Sequence, residues 1–129
     1  MHLSKQFRAL FLVLFISGCS NPLPQFENVD FEAWKKDKNG CQHLREPMAE
    51  PVKIQKEKFL SLTEDQIVNL MGKPDQNELY KRNQKFYSYF ISSSPHCKNS
   101  NSEPKILTIR FNAIGLVKEV IFEWIGNLR

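Results

Sequence analysis

The sequence predicts an α+β domain, with short N-terminal helices packed on one face of a small antiparallel β-meander. Two observations carry this reading. Apolar residues recur at helical spacing as far as Met71, and after Pro74 the period becomes near-alternating. The two best alternating runs then flank the tight-turn sequence Asn112-Ala113-Ile114-Gly115. Helices first and strands after them point to helices covering one sheet face rather than to βαβ units. Ten phenylalanines, three tyrosines and two tryptophans in 129 residues supply a core for one such domain, placed at 30–126.

Taken in order, Asp30 is placed to cap a helix starting at Phe31, with Phe31 and Trp34 on one face and Gly40 as its stop. Lys35, Lys36 and Lys38 complement the dipole in its last turns. Asp37 interrupts that basic cluster, so it reads as a solvated face before a patch for anionic headgroups. Residues 41–50 show no period. A second helix is expected over 51–60, since Pro51 suits a first turn. The clearest helix follows. Thr63 and Gln66 form a capping box, Leu62 and Ile67 a hydrophobic staple, and Ile67, Leu70 and Met71 one apolar stripe. Gly72 and Pro74 end it.

Strands are then expected at 78–81, 85–92, 105–111 and 116–124, with a turn at 82–84 and a polar loop over 93–104. Leu107, Ile109 and Phe111 share a face, as do Val120, Phe122 and Trp124.

The N-terminus carries an address. Lys5 and Arg8 precede the apolar run Leu10–Ile16, which ends in Ser17-Gly18-Cys19. The run is too short for a permanent span and reads as a signal peptide over 1–18. Cysteine after two small residues resembles the lipobox of bacterial lipoproteins, in which that cysteine is acylated and becomes the first mature residue. Residues 19–29, with Pro22 and Pro24, then read as a lipidated tether. Ser20 resembles the outer-membrane sorting signal of Gram-negative lipoproteins. The expected location is the outer membrane, lipid-anchored and facing the periplasm. The formal charge of +4 falls to +2 once Lys5 and Arg8 leave with the signal, too little to indicate nucleic acid.

Cys41 and Cys97 remain after lipidation, and an even pair in an oxidising compartment reads as a disulfide. The alternative is a metal site from Cys41, His43, His96 and Cys97. Adjacent His96 and Cys97 cannot easily face one ion, and no Cys-x-x-Cys spacing exists, so neither a metal nor a cofactor is expected. Ser92-Ser93-Ser94 with His96 offers a nucleophile and a base, but no oxyanion donor or orienting acid accompanies them, and the chain reads as non-enzymatic.

From Leu62-Thr63-Glu64-Asp65-Gln66-Ile67 through Met71-Gly72-Lys73-Pro74-Asp75, then the Tyr/Phe-rich strand, Leu107–Phe111 and Gly115-Leu116-Val117, the chain resembles the SmpA/OmlA (BamE-like) lipoprotein domain over about residues 59–124. The resemblance implies an ααβββ-type fold and an accessory role in outer-membrane protein assembly by protein binding. It gives no partner-contacting residue that can be carried over. Because that fold is similar to β-lactamase inhibitor proteins, an inhibitor or ligand-binding module is the alternative. Other envelope or outer-membrane proteins are the expected partners. Tyr80, Tyr87 and Tyr89 are the candidate contact residues, since tyrosine is enriched at interface hot spots.

Overall fold

In a computed structural model of the chain, residues 18, 22–92, 94–98 and 103–124 are described. The expected signal segment up to residue 17, Cys19, Ser93, the domain end at 126 and the side chain of Trp124 lie outside this set.

Three α-helices precede four strands: α1 Phe31–Lys36, α2 Ala49–Ile54, α3 Glu64–Met71, then β1 Gln76–Leu79, β2 Lys85–Ser92, β3 Lys105–Phe111 and β4 Val117–Trp124. The strands form one antiparallel sheet in the order β1-β2-β3-β4. The architecture is therefore α+β, with one more helix and one more strand than ααβββ.

Helices α1 and α3 are set by local capping chemistry. The Asp30 carboxylate accepts from the Glu32 and Ala33 N–H groups at 3.0 and 3.2 Å, starting α1. At α3 the Thr63 hydroxyl accepts from Gln66 N–H, and the Gln66 side chain accepts from Thr63 N–H. This capping box is worth about 1 kcal/mol. Gly72 closes α3 at φ +82°, donating to the Val68 carbonyl.

Some boundaries differ from the sequence reading, each for a physical reason. Helix α1 stops at Lys36 instead of reaching Gly40, because the Asp37 side chain turns inward. The chain continues through a 3₁₀ turn to Gly40, where φ is +66° and a Cβ would stand 2.8 Å from the Phe90 carbonyl oxygen. Only glycine allows that approach. The 51–60 helix is two pieces, α2 and a 3₁₀ turn over Lys56–Phe59, broken at Gln55. Strand β1 begins two residues earlier than expected.

Tyr87, Tyr89 and Ile91 of β2 join Leu107, Ile109, Phe111 and Val120 beneath Trp34, Val52, Phe59, Ile67 and Met71 of the helical layer. Phe26 and Val29 pack onto the same core. The Phe26 ring lies 5.1 Å from Phe31 and 4.7 Å from Phe59. The expected tether over 19–29 is thus corrected: its last residues are docked on the helices, because Phe26 has an apolar seat there.

Candidate functional site

The feature that sequence reasoning missed is a buried polar network beside the disulfide. Asp37, fully buried, accepts from the backbone N–H groups of Gln42, Leu44 and Arg45 at 2.7, 2.8 and 3.0 Å. That gathers the aperiodic stretch after α1 into a loop and aims Arg45 inward. The Arg45 guanidinium donates to the Trp34 carbonyl at 3.0 Å, the Phe90 carbonyl at 2.9 Å and Asp75 Oδ2 at 2.6 Å. It also lies over the rings of Trp34 and Tyr89. Asp75 accepts in addition from Asn39 and Phe90 N–H. Both charged side chains are almost wholly buried. Every partner is backbone, aromatic face or counter-charge, so the network fixes the fold and presents no reactive group to solvent.

Cys41 and Cys97 are bonded, with Cα atoms 5.4 Å apart. Their sulfurs are therefore joined to each other, which takes them out of a four-ligand set with His43 and His96. Among the described residues no group of three or more His, Cys, Asp or Glu is arranged to hold a metal ion. Ser94 is buried and its hydroxyl accepts from the His96 backbone N–H at 3.1 Å, a loop-closing bond.

The three candidate tyrosines separate. Tyr89 is 0% exposed and donates its hydroxyl to the Gly72 carbonyl at 2.7 Å. Tyr87 is 8% exposed, packs on Phe111 and donates to Glu64 Oε1 at 3.1 Å. Burial, then the Glu64 contact, push the Tyr87 hydroxyl up to about 12, and burial drives Tyr89 higher despite nearby Arg45. Both are core residues tying α3 to the sheet, which corrects their assignment as contact residues. Tyr80 is 63% exposed just after β1, with its ring 5.8 Å from Phe86 in an edge-on pair.

That pair belongs to the sheet face turned away from the helices. Phe86 alternates with Tyr87 and Tyr89, and opposes Glu78 and Arg110 in the neighbouring strands. On the same face the Ser88 and Thr108 hydroxyls bond across strands at 3.2 Å, and Arg110 holds Glu119 through Nε and Nη2. All four residues of β1 are exposed, and its outer edge pairs with no other strand among the described residues. Around the corner, Leu79 and Ile114 line an open groove of about 410 Å³ with Glu64 and Lys85, which are paired at 2.9 Å. Among the described residues no helix is long and apolar enough to cross a membrane.

No family model matches the chain, and no curated protein or solved structure matches it.

Proposed function

We propose that the protein is a non-catalytic, lipid-anchored envelope protein that acts by binding another protein through its outward sheet face. The observation that supports this best is the exposed Tyr80 ring against half-buried Phe86, beside the edge of β1 that pairs with no other strand among the described residues. An aromatic pair on a rigid sheet, at a strand edge with no neighbouring strand among the described residues, suits side-chain anchoring together with strand addition. The buried Arg45–Asp75 pair and the disulfide stiffen the scaffold behind it, which lowers the ordering cost of binding. Acylation of Cys19 and the outer membrane as destination are part of this reading, on the strength of the lipobox-like sequence and Ser20. A SmpA/OmlA-type accessory role in assembling outer-membrane proteins is its specific form. Anchoring would raise the effective concentration for a partner in the same membrane, so modest affinity suffices.

Recovery of partner from detergent-solubilised envelope by the acylated protein is the test. Tyr80→Ala should reduce recovery by about tenfold, the effect of losing roughly 1.4 kcal/mol at a hot spot. Its urea midpoint should not move, because the side chain is exposed. Undiminished recovery by Tyr80→Ala would count against this face.

A further inference from the structure

The docked N-terminal segment fixes how far the domain can stand from its anchor. Glu27 and Gln55 exchange two hydrogen bonds of 2.8 Å, and the Lys58 ammonium donates to the Gln25 carbonyl at 2.8 Å and lies over the Phe26 ring. From Gln25 onward the chain is part of the body. Only the stretch from Cys19 to Gln25 is left as a link, and six residues reach at most about 20 Å. The segment leaves from the helical layer, since Phe26 sits on Phe31 and Phe59. The link therefore departs from the helical side, and Cys19 lies within its reach of Gln25 there.

At that place the surface exposes a large apolar side chain. Ile54, the last residue of α2, is 73% exposed and shares a shallow groove with Glu27, Asn28 and Pro51. Leu23, further along the link, is also exposed. Lys53 and Lys56 flank Ile54 in sequence and are exposed, and such side chains lay their stems along apolar surface with the ammonium in water. Glu27, Glu50 and Glu57 balance Lys53, Lys56 and Lys58, so the patch is near neutral and does not select anionic lipid. An apolar tip ringed by mixed charges, on a tether this short, suits the headgroup–acyl boundary of a bilayer.

We propose that the α2 surface around Ile54 rests on the lipid bilayer with the Ile54 side chain inserted. The outward sheet face with Tyr80 and Phe86 then points away from the membrane. The proposal rests on acylation at Cys19.

The test uses the acylated full-length mature protein in phosphatidylcholine vesicles, unlabelled or brominated on the acyl chains. Ile54→Trp and Ile114→Trp are compared with the parent, both at exposed positions where the fold tolerates exchange, Ile114 being 79% exposed. Trp34, buried in the core, and Trp124 emit in all three proteins, so the parent's emission is subtracted from each variant's. The emission added by Ile54→Trp should be blue-shifted and largely quenched by the brominated lipid, and that added by Ile114→Trp should be neither. Equal quenching at both positions, or none at position 54 in protein whose acyl chains are seen by mass spectrometry, would overturn the docking alone. A blue shift at 54 without lipid quenching would place a protein surface there and overturn it too. Mature protein without acyl chains on Cys19 would instead remove the anchoring reading, and the docking with it.

Discussion

Asp75→Ala should cost the domain about 3–5 kcal/mol, the penalty for leaving one member of a buried ion pair unpaired. Asp75 accepts from Asn39 N–H, Phe90 N–H and the Arg45 guanidinium, so its loss strands two backbone donors and a buried cation at once. On the scale of total domain stability, about 5–15 kcal/mol, that is a large fraction. Urea unfolding should show a lower midpoint with little change in slope. Adding Arg45→Met should recover much of the loss, because the uncompensated charge goes with it. If the double variant were no more stable than Asp75→Ala alone, the cost would lie in the backbone donors and not in the cation.

Removing the disulfide should have an effect of similar size. Cys41 and Cys97 are 56 residues apart, and a loop of that length constrains the unfolded chain by about 4 kcal/mol on the loop-entropy model. The paired Cys41→Ser, Cys97→Ser variant should lose most of that. The bond joins the loop that carries Arg45 to the segment after β2, so the two stabilising devices share a neighbourhood and their losses should not be additive. A midpoint insensitive to reductant would contradict this.

How far the sequence could be read follows from where each signal lies. The α3 capping box, the change of period after Pro74 and the pairing of β3 with β4 are local, and local chemistry decided them. The polar network was not legible, because Asp37, Arg45 and Asp75 are brought together only by tertiary structure, and residues 41–50 show no period to read. Nothing in the pattern separated Asp37 from the exposed charges around it. The tyrosines failed for a different reason. In Phe86-Tyr87-Ser88-Tyr89-Phe90 both faces of the strand carry aromatic residues, so alternation alone does not choose between them. The register does: Tyr87 opposes Ile109 and Tyr89 opposes Leu107, both in the core. That leaves Phe86, Phe90 and Tyr80 on the other face, where Phe90 is buried, Phe86 half-buried and Tyr80 exposed. Phe26 was read as tether because its seat on Phe59 lies 33 residues along the chain, beyond any local pattern.

An anchored domain that presents the Tyr80 face to a partner protein should be captured by that partner at position 80. Photo-crosslinking in intact cells tests it most directly, with a benzophenone side chain placed at position 80 and, separately, at exposed position 43. A discrete protein adduct from position 80, absent from position 43 and lost when Cys19→Ala releases the domain from the membrane, is the expected result. Equal adducts from both positions, or none from position 80, would contradict it.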